Sequence, residues 1–211
     1  MAPYTNADFA TAPKIVIHPG MKPATGETQA SDSVPAEWRA KVEGTLINPA
    51  SLLATDYLNH FNEVVMLLGM VPDMPEMLED AKGWKLKSYP EHFRASGLSY
   101  GELAAEAYEH IPAATKSAFE LTVDQLAMVI EVTVSRLTTA IEKGDADVIR
   151  ATAQNGTDVM HILTDRIGAV IAGANETLHQ SEIDAMMAAV PSGDITSSGG
   201  ASQADIDALF D

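Results

Sequence analysis

An acid and an amide in the first third of the chain could carry out hydrolytic chemistry. Asp56, Asn59, Asn62 and Glu63 fall at spacings that place them on one face if the segment is helical. A carboxylate and a carboxamide on one helical face can position a water molecule for attack on a phosphoryl group. Asp56 and Asn59 are therefore candidate catalytic residues. The same four residues also fit the solvent-exposed face of an amphipathic helix, which is the simpler interpretation.

Other common catalytic and metal-binding patterns are missing from the sequence. The six histidines show no HxxxH or HExxH spacing, and the chain contains no cysteine. The sequence therefore predicts no metal site, no disulfide and no thiol nucleophile. It also lacks a Gly-x-Ser-x-Gly elbow and a glycine-rich phosphate loop, so we expect no cofactor. Gly168 and Gly173 are expected to allow close helix packing rather than to bind phosphate.

The clearest pattern in the chain is a short repeat near its C-terminal end. The segment His179-Gln-Ser-Glu-Ile-Asp-Ala-Met-Met187 is matched by Ser202-Gln-Ala-Asp-Ile-Asp-Ala-Leu-Phe210, at an offset of 203 − 180 = 23 residues. In both copies Gln is followed by a small residue, an acid, Ile, Asp, Ala and two large apolar residues. Residues 191–200, which are rich in Ser and Gly, separate the two copies.

Each copy has the pattern of a short amphipathic helix. Ser202 and Asp205 fit a capping box, and Asp184 and Asp207 can meet basic residues on a partner. The apolar stripe consists of Ile183, Met186, Met187 and Val190 in the first copy and of Ile206, Leu209 and Phe210 in the second. Helices this short are unstable alone in water, so both copies are predicted to fold on binding in a hydrophobic groove. The alternative is a frayed extension of the preceding helix followed by a disordered end.

The second copy resembles the short peptide at the start of the flagellar motor switch protein, which binds the phosphorylated chemotaxis response regulator. It is also similar to the C-terminal tail of the chemotaxis phosphatase that dephosphorylates this regulator. In those families Gln and the acids flank a helical turn whose Ile and Leu enter the regulator's signalling face. The resemblance implies contacts from Gln180, Glu182, Ile183, Asp184, Met186 and Met187, and from Gln203, Asp205, Ile206, Asp207, Leu209 and Phe210.

The chemotaxis phosphatase is similar to this chain in layout as well, with a long helical hairpin ahead of a linker and a terminal peptide. Its catalytic helix carries an acid followed four residues later by Gln, whereas here Ile162 stands four residues after Asp158. Glu176 and Gln180 do have that spacing and become further catalytic candidates. We favour a non-enzymatic role. An active chain would be a protein aspartyl-phosphate phosphatase, and its Mg²⁺ would belong to the response regulator.

The elements that must position these residues are predicted to be helices. The chain is 46% apolar but only 6% aromatic, a composition that suits helix packing better than a sheet. Apolar residues recur every three or four positions from Asn48-Pro49 to Gly69, from Ala113 to Lys143, and from Val148 to about residue 176. The stop and restart at Lys143-Gly-Asp-Ala-Asp147 joins the last two helices into an antiparallel hairpin.

Shorter elements are predicted between the long helices. Residues 73–80 should form a short helix, and a capping-box pattern at Ser99–Glu102 should open another that runs to about His110. Residues 83–98 are predicted to be an irregular connection that packs Trp84, Tyr89 and Phe93 over the bundle.

The predicted fold class is thus all-α, an antiparallel helical bundle flanked by flexible segments. Residues 1–47 are predicted to be a flexible arm, because a segment rich in Pro, Gly, Ser and Thr buries little apolar area. Residues 48–176 form the bundle, and residues 177–211 form a tail with two docking motifs. A second copy of the chain could cover the remaining faces of the hairpin as a homodimer.

Charge narrows the range of partners. The net charge is −17, from 13 basic and 30 acidic residues, which disfavours nucleic acid and anionic membranes and favours a partner with a basic face. The first residues lack the basic and apolar regions of a secretory signal, and no run of 18 apolar residues occurs, so a cytoplasmic location is expected.

Three functions fit this sequence. The preferred one is a bacterial chemotaxis or flagellar-motility adaptor that binds a phosphorylated response regulator through tandem C-terminal peptides. The alternatives are a divergent response-regulator phosphatase, in which an acid and an amide position water, and a structural helical scaffold whose tail binds another protein.

Overall fold

The computed structural model describes residues 33–189, which are all-helical, as predicted. Two 3₁₀ helices, Thr55–Leu58 and Tyr108–His110, accompany the α-helices. The α-helices of this part of the chain are α1 (Ala36–Val42), α2 (Asn59–Met70), α3 (Met77–Gly83), α4 (Tyr89–Ala95), α5 (Gly101–Ala107), α6 (Ala113–Lys143), α7 (Ala146–Ile171) and α8 (Gln180–Ala188). The first 32 residues of the predicted arm and the second tail motif lie outside the described residues.

The long hairpin predicted from the sequence is confirmed. Helices α6 and α7 contain 31 and 26 residues and pack against each other along their length. Gly144 ends α6 in the left-handed conformation, with φ of 71°, which glycine adopts without steric cost. Asp145 then caps α7, because its carboxylate accepts a hydrogen bond from the Val148 N–H at 3.1 Å. Two residues thus reverse the chain direction.

Gly156 of α7 packs directly against α6. A Cβ atom at this position would lie 2.5 Å from Cγ2 and 2.6 Å from Oγ1 of Thr133 on α6. At Gly168 a Cβ would be 3.9 Å from Leu58, which is ordinary contact, and Gly173 has φ of 108° in the turn after α7. The role predicted for Gly168 and Gly173 therefore belongs to Gly156.

The packed body extends beyond the predicted limits of 48 and 176 at both ends. Helix α1 lies within the segment predicted to be a flexible arm, yet it buries Trp38 and Val42. The Trp38 ring stacks on His110 with 4.2 Å between centroids. At the other end α7 stops at Ile171, and α8, which was assigned to the tail, packs on α7. At both ends, buried apolar side chains extend the packed body beyond the predicted limits.

The segment before α2 is a closed loop instead of the helix predicted from residue 49. Ile47 and Ala54 form an isolated antiparallel bridge, and buried Leu52 adopts a positive φ of 60°. The Ser51 hydroxyl donates to the carbonyl of Ile171 at 2.6 Å. Because this bond ties the loop to the end of α7, tertiary contacts override the helical periodicity, and α2 begins only at Asn59.

An aromatic layer covers one side of the hairpin; we use this name for Tyr57, His60, Phe61, Trp84, Tyr89 and Phe93. Tyr89 and Phe93 are buried on α4, so the prediction that residues 83–98 are irregular was wrong for Tyr89–Ala95. Ser88 and Glu91 form the capping box that begins this helix. The predicted packing of Tyr89, Phe93 and partly buried Trp84 against the core is confirmed.

Hydrogen bonds to the backbone of other segments fix the aromatic side chains of this layer in place. The Tyr89 hydroxyl accepts from the Ala54 N–H at 2.8 Å, and the Tyr57 hydroxyl donates to the Lys87 carbonyl at 2.8 Å. The indole N–H of Trp84 donates to the His60 carbonyl at 3.0 Å. These bonds join segments that are 24 to 35 residues apart.

None of the helices within residues 33–189 combines the length and the apolar character needed to cross a membrane.

Candidate functional site

The first copy of the tail motif folds as α8 and buries Ile183 and Met187 of its predicted apolar stripe. Val190, the last residue of that stripe, lies outside the described residues. The helix begins where the His179 N–H donates to the Glu182 carboxylate at 2.7 Å. Ile183 and Met187, four residues apart, are only 1% and 7% exposed, while Met186 is half-buried. The motif is therefore a helical docking element in this molecule, and its docking surface is the chain's own hairpin.

We call the surface that receives this helix the α8 groove. It consists of Met128, Val129, Val132 and Arg136 on α6 and of Asn155 on α7. A cavity of about 270 Å³ remains between the α6 side chains and Ile183, Asp184 and Met187. The groove thus holds α8 without being filled by it.

Polar side chains hold α8 by its backbone. Arg136 donates to the carbonyl of Met187 at 2.5 Å, and Asn155 donates to the carbonyl of Met186 at 2.9 Å. The last carbonyls of a helix lack intrahelical partners and carry partial negative charge, so an arginine is favourable at this end. Gln125 donates to the Leu178 carbonyl at 3.1 Å, just ahead of α8. These contacts recognise a short helix independently of its side chains.

The remaining predicted contact residues of the first copy lie on the exposed face of α8. Gln180 donates to the Asp184 carboxylate at 2.9 Å and also touches the sulfur of Met128 at 3.7 Å. Glu182 is used in the cap of α8. An acidic edge therefore remains accessible while the apolar stripe is covered. The corresponding residues of the second copy lie outside the described residues.

The first catalytic candidate, Asp56, takes part in a structural hydrogen bond. Its carboxylate accepts from the Tyr100 hydroxyl at 2.6 Å. Burial, together with this bond and the negative charge of Asp56, raises the pKa of Tyr100 to about 12. Asn59 is exposed in the first turn of α2. The bond between Asp56 and Tyr100 thus ties the 3₁₀ helix ahead of α2 to the residue before α5. Among the described residues, Asp56 and Asn59 form no hydrogen bond with each other.

The second pair of catalytic candidates, Glu176 and Gln180, does not lie on one helix. Glu176 lies in the connection after α7, where its side chain is 87% exposed and 3.4 Å from Arg166. Gln180 is the first residue of α8 and bonds to Asp184. The two residues are separated because α7 ends at Ile171 and Gly173 turns the chain with a positive φ. The spacing of four residues therefore does not place the acid and the amide side by side.

Sequence reasoning missed the residues that receive α8, above all Arg136, Asn155 and Gln125. One signal was present for Gln125, a polar residue inside the apolar stripe of α6 that is only 3% exposed. Its amide oxygen and that of Asn155 are buried without a hydrogen-bond partner. Arg136 carried no comparable signal, because its function depends on where α8 meets the hairpin.

Within the described range, no group of three His, Asp or Glu side chains is arranged to hold a metal ion. No protein-family model, curated protein or solved structure matches this chain. Its function must therefore be argued from its own residues and geometry.

Proposed function

We propose that the protein is a bacterial chemotaxis or flagellar-motility adaptor that binds a phosphorylated response regulator through its C-terminal motifs. The observation that supports the proposal is α8 itself. When the motif folds, Ile183 and Met187 lie on one buried face, and Asp184 lies beside them on an exposed edge. The resembling peptides likewise combine an apolar helical face with flanking acids, and a helix of this kind binds in an apolar groove of a partner.

The second copy, Gln203–Phe210, is the one we assign to the regulator. The apolar stripe of the first copy is already buried in the α8 groove, so a regulator would have to displace it. Burial of one Ile or Met side chain contributes about 1.5–3 kcal/mol, and a competitor must replace both. The second copy repeats the stripe with Ile206 and Phe210 at the same spacing.

Charge supports the same assignment. A chain with a net charge of −17 attracts a partner with a basic face and accelerates its approach. Asp205 and Asp207 place two acids within the second motif. Binding should therefore weaken as ionic strength rises, because exposed charges are screened beyond about 8 Å at physiological salt.

The test is a calorimetric titration of the full chain with response regulator in its phosphorylated and unphosphorylated forms. Ile206→Asp with Phe210→Asp should weaken binding of the phosphorylated form about 100-fold or more, because two anchors are lost. Ile195→Asp, which adds a charge between the motifs, is the matched control and should leave affinity within about twofold. Equal binding by all three proteins would refute docking through the second motif. No binding at all would favour the scaffold alternative.

The adaptor is distinguished from the phosphatase by the regulator's dephosphorylation rate. Asp56 and Glu176 already interact with Tyr100 and Arg166, which supports structural roles for them. We expect the intact chain to leave the rate unchanged. Acceleration that is lost in Asp56→Ala or Glu176→Ala would instead make the protein an enzyme and the named residue part of its active site.

A further inference from the structure

The α8 groove has a property that goes beyond holding one helix. Its two polar side chains, Arg136 and Asn155, donate to backbone carbonyls, those of Met187 and Met186. Its apolar contacts cover two positions, Ile183 and Met187, while Ser181, Glu182 and Ala185 are exposed. The groove therefore selects a short helix with two large apolar residues four apart, and little else.

The chain contains a second segment with these features. In Gln203–Phe210 the two positions are occupied by Ile206 and Phe210, and the intervening pattern of acid, Asp and Ala is retained. Phe210 would stand where Met187 stands now. The cavity of about 270 Å³ that adjoins Met187 leaves room for an aromatic ring. We propose that the α8 groove is a shared receptor, and that this chain's own second motif exchanges with α8 in it.

The length of chain between the end of α7 and each motif permits the exchange. Eight residues (172–179) precede Gln180 of the first copy, and 31 residues (172–202) would precede Gln203 of the second. Because effective concentration falls as about the −3/2 power of linker length, the first copy is favoured roughly eightfold by length alone. The aromatic ring of Phe210, which would replace the Met187 side chain, favours binding of the second copy. The two copies are thus close competitors, and occupation of the groove by one leaves the other available to a partner.

The chain contains no cysteine, so the only thiols in a variant are those that are introduced. Met128 touches Gln180 in the docked state, so Met128→Cys with Gln180→Cys reports occupation by the first copy. Met128→Cys with Gln203→Cys reports occupation by the second. Each double variant of the full chain is treated with a short bifunctional thiol reagent, and cross-linked monomer is separated on a denaturing gel.

We expect the Gln203→Cys pair to cross-link within the monomer and to lose this product when Ile206→Asp is added. Displacing α8 with Ile183→Asp should raise the yield severalfold, up to about eightfold. Ser117→Cys with Gln203→Cys is the matched control for chance collisions. Ser117 is exposed on α6, 11 residues and thus about 16 Å along the helix from Met128.

Two results would overturn the proposal. One is a Gln203→Cys yield with Met128→Cys that equals the Ser117→Cys control and is unaffected by Ile206→Asp. The other is cross-linked dimer without cross-linked monomer, which would mean that the motif docks on a second chain. The first result needs no variant that disturbs α8, so it holds even if Ile183→Asp loosens the body. Because no regulator is present, failure here leaves the adaptor proposal untouched.

Discussion

The hairpin of α6 and α7 and the aromatic layer beside it are stabilised in different ways. The hairpin consists of 31- and 26-residue helices that face each other through stripes of mostly apolar residues, with a two-residue reversal between them. The aromatic layer has short helices and is held by single hydrogen bonds, such as those from Tyr57 and Trp84 to distant backbone carbonyls. Periodicity specifies the first region, and individual side chains specify the second.

This difference matters for function because α8 combines both modes. Ile183 and Met187 use the periodic apolar stripe, whereas Arg136 and Asn155 make single hydrogen bonds to the helix end. Apolar packing alone would let a helix slide along the hairpin. The two carbonyl contacts fix its register, and so they define where a competing motif must sit.

The largest effect is expected from removing an aromatic anchor. Phe93→Ala should destabilise the protein by about 3–5 kcal/mol, since Phe93 is fully buried. Denaturation can be monitored with two probes. Tryptophan fluorescence reports on Trp38 and Trp84, which both lie outside the hairpin, whereas far-UV circular dichroism is dominated by α6 and α7. We expect the two curves to coincide, because loss of the layer exposes the hairpin's apolar face.

Leu86→Ala is the matched control for this variant, because Leu86 lies in the same region but is 42% exposed. It should shift stability by no more than about 0.5 kcal/mol. If fluorescence were lost in Phe93→Ala well before circular dichroism, the two regions would be separate folding units, and the hairpin would remain folded without the aromatic layer.

A smaller effect is expected from crowding the hairpin. Gly156→Ala should destabilise the protein by about 1–3 kcal/mol, because its Cβ would overlap Thr133 across the helix pair. Thermal unfolding measures the change. Gly83→Ala, also in a helix but with open space around its Cβ, is the control and should stabilise by up to about 1 kcal/mol.

Pairing Gly156→Ala with Thr133→Ala sharpens this test. Removing the Oγ1 and Cγ2 atoms of Thr133 takes away the two closest contacts, so the double variant should be less destabilised than the sum of the single ones. Strict additivity would mean that the helices shift apart instead of clashing at this point.

The smallest effect is expected from pH and concerns the aromatic layer. Burial lowers the pKa of His60, whose Nε2 accepts from the Lys87 N–H at 3.1 Å and would lose that bond on protonation. The folded state then binds fewer protons than the unfolded state, so the free energy of unfolding falls as pH drops below about 6.5. One such proton changes it by at most about 1.4 kcal/mol per pH unit.

Urea denaturation between pH 7 and 5.5 measures this dependence. In His60→Gln, whose amide oxygen can still accept from the Lys87 N–H, the free energy of unfolding should depend less on pH than in the parent. His161→Gln, an exposed change on α7, should leave it as in the parent. A parental slope retained in His60→Gln would assign the dependence to other groups, of which His92 is the first to examine, since burial lowers its pKa as well.

The sequence was sufficient to predict the hairpin because its signals are local. Gly144 and Asp145 mark its turn, and the apolar residues of α6 and α7 recur at helical spacing. Helix α4 also had a local signal, the capping box of Ser88 and Glu91, which was overlooked. The loop before α2 was missed because Ser51 and Ala54 act through partners elsewhere in the chain. Their types and spacing contain no trace of those partners.

The candidate site was predictable to the same extent. The stripe of Ile183 and Met187 follows from the repeat, and both side chains are buried where the motif docks. The receiving residues Arg136 and Asn155 could not be found, because their hydrogen bonds go to carbonyl groups that every residue has. A groove that recognises backbone leaves no pattern in the sequence.

The exposed connection between α7 and α8 has one more consequence. Residues 172–176 are exposed, and this stretch is part of the covalent link between α7 and α8. It contains Glu176 but no Lys or Arg, so an enzyme that cleaves after glutamate could cut here where trypsin could not. Cleavage would turn an intramolecular contact into a bimolecular one. Retention of α8 would then depend on dilution, and a single cut would release both motifs on one soluble peptide.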